Sequence, residues 1–144
     1  MVEEEPMEME TEGELSEDKQ AIAQSVDISG VEGNYTFSVN LKSPDLGCDQ
    51  YADWWEVISL DKKLVYRRIL RHSHVSEQPF IRSGGPVNVV ENEVVYIRGH
   101  INNLSYGAIV LKGDVANGFV KDTLAADFAK GLETAEPLPT NCAF

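Results

Sequence analysis

The stretch "NYTFSVNLK", residues 34–42, alternates strictly: Tyr35, Phe37, Val39 and Leu41 fall on one side, Thr36, Ser38, Asn40 and Lys42 on the other. A period of two is the pattern of a strand with one face on a core and the other toward water. Further β-rich runs surround it. "SVDISGV" precedes it, and "YADWWEVIS", "KLVYRRIL", "PVNVV", "EVVYIRGHI" and "YGAIVLKG" follow. Breakers separate the runs: "SPDLGCD", "RSGGP", "ENE" and "NNLS". "LDKK" between the third and fourth runs suits a four-residue hairpin loop. About seven short strands at regular spacing, with no helix between them, predict an all-β antiparallel sandwich of immunoglobulin-like or fibronectin-type-III-like architecture. The label is architectural only, because the inter-sheet cysteine pair of antibody domains is missing.

The chain ends read differently. Of the formal charge of −12 over 144 residues, −9 sits in residues 1–18, which hold no basic side chain. So polar a segment of one charge sign cannot bury enough apolar surface to offset its ordering entropy. Residues 1–24 are therefore expected to form a disordered acidic tail, with residues 25–121 as the sandwich domain. The remaining net charge of −3 excludes a dominant basic face, and with it nucleic-acid binding. "DTLAADFAKGL" offers Asp122 or Thr123 as N-cap, Leu124, Phe128 and Leu132 on one face, and Gly131 near the C-cap. Residues 122–144 are accordingly expected to be a short C-terminal helix followed by an extended tail. "MVEEEPMEME" has neither a basic start nor an apolar run, so no leader is expected in the chain as given. No stretch approaches the roughly 20 apolar residues of a membrane span. Export would follow only if a leader had been removed. Cys48 and Cys142 suit either a disulfide tying the C-terminus to the body or two free thiols.

Three constellations could carry chemistry. If the strand "KLVYRRIL" runs on through Arg71, His72 and His74 share a face, roughly 6.5–7 Å apart along it. With Glu77, and with His100 from a neighbouring strand, they would supply zinc or copper ligands. The alternative is that both histidines cap a strand end and bond to loop backbone. Next, all five arginines (Arg67, Arg68, Arg71, Arg82, Arg98) fall between residues 67 and 98. From residue 62 to 82 there are six Lys or Arg and one acid, Glu77. Arg68, Arg71, Arg82 and Arg98 could gather on one surface and take a small anion, an acidic glycan, a protein partner or the chain's own acidic tail. Cross-strand pairing with Asp53, Glu56, Glu91 and Glu93 is the competing reading. Last, adjacent tryptophans in a strand face opposite ways. Trp55 is expected in the core and Trp54 partly exposed, as a stacking surface for a ligand or packed beneath a loop.

Asp45 and Asp49 lie in a loop that would suit Ca²⁺ as readily as acid–base work. No nucleophile elbow, zincin, P-loop or dinucleotide motif occurs. The leading expectation is a non-enzymatic binding module around residues 72–82. A small zinc- or copper-binding protein comes second, and a hydrolase of unknown type third.

"YADWWEV", "HSHVSEQPFIRS" and "YIRGHINNLSYG" together resemble a family of small uncharacterised bacterial proteins. These share a Y-A-D-x-W-E-V strand and an H-x-H-V-x-E-Q-P-F-x-R-S segment. The resemblance covers roughly residues 34 to 110. It implies a common architecture and a bacterial, exported setting, and it implies no activity.

Overall fold

The computed structural model describes residues 17–125 and 127–143. Among them are nine strands and no α-helix. They are β1 (Ile22–Val31), β2 (Asn34–Lys42), β3 (Ala52–Ser59), β4 (Leu64–Ile69), β5 (Phe80–Val87), β6 (Val95–Ile101), β7 (Ser105–Tyr106), β8 (Ile109–Asp114) and β9 (Gly118–Thr123). The strands form two antiparallel sheets packed face to face. One is three-stranded, in the order β1-β2-β5; the other runs β4-β3-β6-β8-β9, with β7 paired to β6. No helix among the described residues is long and apolar enough to cross a membrane.

The alternating strand behaves as its pattern demands. Tyr35, Phe37, Val39 and Leu41 of β2 are buried, facing Trp55 and Val57 of β3 and Ile97 and Ile101 of β6 in one core. The "LDKK" loop joins β3 to β4 as an antiparallel hairpin.

Three expectations differ from what is observed. The tail assigned to residues 1–24 falls partly outside the described residues, which begin at Glu17. Within its described part, β1 already starts at Ile22, and Gln20 is buried, its side-chain oxygen accepting hydrogen bonds from the Ala108 and Ile109 amides. Next, "RSGGP" is no break: it lies inside β5, while "PVNVV" is strand only at its start. β5 is the edge of its sheet, where a missing proline N–H costs no ladder bond. The glycines allow close packing, since a Cβ at Gly84 would stand 2.5 Å from the Tyr66 hydroxyl and one at Gly85 2.6 Å from the Tyr35 carbonyl.

The C-terminal helix is also replaced. Asp122 and Thr123 pair with Val110 and Ile109 as the end of β9, and only a 3₁₀ turn, Lys130–Thr134, follows. A helix of so few residues is marginal without tertiary help. Here tertiary structure acts against it, because side chains of the sheet capture the carbonyls that a helix would use.

Phe37 is wholly buried and Thr36 is exposed on the opposite face. Phe37→Ala is expected to cost about 3–5 kcal/mol in urea unfolding, while Thr36→Ala stays within about 0.5 kcal/mol. Comparable losses from both changes would contradict this register.

Candidate functional site

β3 is buried on both faces, and its second face holds a buried cluster of polar side chains. Register places Glu56 opposite Arg67 of β4 on one side and Arg98 of β6 on the other. Each guanidinium donates through Nε to one carboxylate oxygen at 2.8 Å, and Arg67 Nη2 lies 2.7 Å from Oε1 as well. Glu56 is 0 % exposed, Arg98 2 % and Arg67 4 %. Two buried cations against one anion leave an excess positive charge, and main-chain carbonyls of the C-terminal segment meet it. Arg98 donates to Phe128 and Ala129; Arg67 donates to Leu132, Ala135 and Pro137.

Aromatic rings complete this face. Trp54 stacks on His100 with ring centres 3.8 Å apart, and the Arg67 guanidinium carbon lies 4.0 Å from the centre of the Trp54 ring. Arg98 sits 3.5 Å from the ring centre of Tyr106. Burial, reinforced by the charge of Glu56, pushes the Tyr106 phenol well above its ordinary range, so it stays protonated. Both His100 nitrogens are engaged, Nδ1 at 2.6 Å from Asp53 Oδ1 and Nε2 at 2.7 Å from Glu133 Oε2. Ser105 donates its hydroxyl to the same Glu133 oxygen at 2.5 Å. Burial opposes ionisation of Glu133, yet the hydrogen bonds from Ser105 and His100 outweigh it and hold the carboxyl below its usual range.

The other face of β4 belongs to a different site. Arg68 points away from Arg67, toward β5, because neighbouring strand residues alternate. Arg68, Leu70, Arg71, His72, His74 and Arg82 line an open cleft of about 180 Å³ between the facing edges of the two sheets. Main-chain carbonyls orient the guanidinium groups: Arg68 donates to Ser83 and Ile69, and Arg82 to Ile81. Arg82 Nη2 also lies 2.8 Å from His74 Nε2 and 3.6 Å from Glu77 Oε1. Arg71 and His72 are exposed and make no side-chain hydrogen bond or ion pair among the described residues.

His74 is the buried polar member of this cleft, stacked on Phe80 at 3.8 Å. A guanidinium only donates, so Nε2 accepts from Arg82 and the ring proton belongs on Nδ1. Nδ1 is buried without a hydrogen-bond partner, 3.9 Å from Asp45 Oδ2. Burial, followed by the charge of Arg82, pushes the His74 pKa below its ordinary value. Asp45 anchors the segment by accepting from the His74 and Ala52 amides and the Ser43 hydroxyl. It is buried, whereas Asp49 is exposed.

Of the four candidate metal ligands, His72 and His74 line this one cleft. β4 stops at Ile69, so His72 and His74 do not sit on one strand face: His72 is exposed and bridged to Ala143, His74 is buried. Glu77 pairs with Arg82, and His100 lies in the cluster around Glu133. No three His, Cys, Asp or Glu side chains among the described residues are grouped to hold a metal ion. Arg98 and Trp54, expected to face a ligand, do not: Arg98 donates to the C-terminal segment, and Trp54, 2 % exposed, is packed between the His100 ring and the Arg67 guanidinium. Cross-strand pairing accounts for Arg67 and Arg98, while Arg68, Arg71 and Arg82 do converge. Asp53, Ser105, Tyr106 and Glu133 were not singled out as site residues from sequence. The only signal for them was that Trp54, Glu56 and Ile58 fall on one face, which a second layer had to cover if it was not to stay wet.

Two outcomes follow from this geometry. Glu56→Gln leaves two buried guanidinium groups without their counter-charge, and a loss of about 3–5 kcal/mol is expected in urea unfolding. A loss below about 1 kcal/mol, the range of an exposed pair, would mean that the cluster is hydrated. For His74, the folded state favours the neutral ring more than the unfolded state does. Its contribution to stability is therefore complete above pH 6.5, the ordinary histidine value, and is lost as pH falls below it. In His74→Gln, the slope of melting temperature against pH below 6.5 should flatten relative to the wild type. An unchanged slope would show that His74 is not the group responsible.

No protein-family model matches the chain, and no solved structure matches it. A protein of Halomicrobium mukohataei named "Putative lipoprotein" is 41% identical to it over 83 residues, which make up 57% of this chain. Those residues span 40% of that protein, so the chain corresponds to less than half of its length.

Proposed function

We propose that this chain is a non-enzymatic binding module of an exported protein, on an immunoglobulin-like or fibronectin-type-III-like sandwich, with the cleft between β4 and β5 as its site. The ligand is a small anion, and a carboxylate suits it best. The observation that carries this reading is the convergence of Arg68 and Arg71, at the end of β4, with Arg82 of β5 on one cleft, where Glu77 and the buried Asp45 are the acids alongside. Bonds to backbone carbonyls hold two of the three guanidinium groups in place, so part of the ordering cost of binding is met before a ligand arrives. Arg71 and His72 supply further donors at the exposed rim. The planar donor fork of arginine matches a carboxylate bidentately.

Two observations support the exported setting. Cys48 and Cys142 form a disulfide, a bond that persists in oxidising compartments. The relative in Halomicrobium mukohataei carries a lipoprotein name.

The test is titration of the full chain with citrate, and separately with sulfate, read by calorimetry and by melting temperature. Citrate is expected to raise the melting temperature through mass action. Arg71→Ala/Arg82→Ala should weaken binding at least about tenfold, the loss expected when charge-assisted hydrogen bonds worth about 1.5–3 kcal/mol disappear. Stoichiometric zinc or copper should leave the melting temperature unchanged, because His74 Nε2 is engaged with Arg82. A shift with metal but none with either anion would replace this reading with a metal-binding one. Anion binding that is equal in the double variant would move the site elsewhere.

A further inference from the structure

The C-terminal segment is held in an unusual way. Among residues 130–134 no side chain is buried, so the segment is not kept in place by an apolar stripe of its own. Arg98 instead donates to the carbonyls of Phe128 at 2.7 Å and Ala129 at 2.9 Å. Arg67 donates to Leu132 at 2.6 Å, Ala135 at 2.6 Å and Pro137 at 2.9 Å. These five bonds read main chain and would serve any sequence with the same backbone path. Two side chains of the segment also make specific contacts. Phe128 meets Tyr96 edge to face at 5.5 Å, and the Glu133 carboxylate is received by His100 Nε2 and Ser105 Oγ.

The receiving face is built more completely than the segment that fills it. Glu56 orients both arginines through Nε and also meets Arg67 Nη2, while terminal nitrogens of both reach the segment. Asp53 bonds to His100 Nδ1 and so aims Nε2 at the carboxylate. Ala129, by contrast, adopts φ 50, a left-handed conformation costly for a residue with a Cβ, while its carbonyl meets Arg98. The Trp54 Nε1–H is buried on this face without an acceptor, so one donor of the receptor is left unanswered. A cover whose only task was to exclude water would be better served by apolar packing, since desolvating an ion cluster can cost more than its attraction returns.

We infer that the outer face of β3, β4 and β6 is a receptor for a short acidic peptide in a 3₁₀-turn conformation, filled here in cis by the chain's own residues 128–137. The ligand class is a peptide with an aromatic side chain at the Tyr96 end, exposed main-chain carbonyls over Arg98 and Arg67, and a carboxylate between Ser105 and His100. The chain's own segment is favoured over a peptide in trans because it is attached at both ends, through β9 and through the disulfide of Cys142 to Cys48. Such attachment raises its local concentration to the millimolar range for a short connection. A second chain gains access when that attachment and the Glu133 contact are both weakened.

The test uses the full-length chain. A fluorescein-labelled synthetic peptide of residues 127–137 is titrated into Cys48→Ser/Cys142→Ser/Glu133→Ala and into the disulfide-intact wild type, with anisotropy as the readout. The triple variant should bind at least tenfold more tightly than the wild type. The same peptide carrying Glu133→Gln should lose at least tenfold on that variant. A variant folded by circular dichroism that binds neither peptide overturns the inference, and so does equal binding of the two peptides, which would mean that no carboxylate is read. If the triple variant does not fold, Glu133→Ala in the disulfide-intact chain takes its place. The same gain over wild type and the same loss with the Gln peptide are then required, and their absence overturns the inference equally.

Discussion

The carboxylate of Glu56, wholly buried between Arg67 and Arg98, is the interaction on which the rest of this structure rests. A buried carboxylate is tolerable only when counter-charge and hydrogen bonds replace lost water. Here the pairing register of β3 with both of its neighbours supplies them. A slip of one residue between β3 and β6 would carry Arg98 into the apolar core and take a counter-charge from the carboxylate, so the cluster helps to specify the alignment of those two strands. Because two cations face one anion, the excess charge must be met from outside the sheet, and carbonyls of residues 128–137 meet it. The cluster thereby dictates the path of a segment that has little apolar reason to be there.

That dependence explains how far the sequence could be read. Alternation in β2 was legible because burial there depends only on neighbours in sequence; Phe37 and Thr36 lie where a period of two puts them. The hairpin around "LDKK" was legible for the same local reason. β5 was not, because Gly84 and Gly85 read as a break, whereas they serve the close approach of Tyr66 and the Tyr35 carbonyl, contacts distant along the chain. The expected helix failed for a related cause. "DTLAADFAKGL" carries helix signals that are real but weak, and β8 and the two buried arginines compete for the same backbone groups. Propensity gives way when tertiary partners claim the hydrogen bonds.

The candidate site shows a subtler limit. The arginines and histidines between residues 67 and 100 look like one basic patch in sequence, yet β4 divides them. Arg67 and Arg68 are adjacent and therefore opposed. One joins a closed ion cluster and the other lines an open cleft. The same alternation applied to Trp54 and Trp55 correctly separated their faces, and Trp55 is in the core. What it could not supply was the second layer over Trp54, since that layer has no strand pattern of its own. Glu56 was visible as an arginine partner; Glu133, far away in sequence, was not.

The two faces of β4 are also mechanically joined. Beyond Pro137 the chain runs on to Cys142, whose disulfide to Cys48 spans 94 residues. The next residue, Ala143, donates its amide to the Arg71 carbonyl and bridges to His72, at the wall of the cleft. Closing a loop of that length removes about 4–5 kcal/mol of chain entropy from the unfolded state in the simplest model. The covalent link, the carbonyl bonds to Arg67 and Arg98, and the bridge at His72 therefore act in series on one segment. One stretch of main chain thus connects the cover of the ion cluster to the wall of the open cleft, with the disulfide between them as a fixed point.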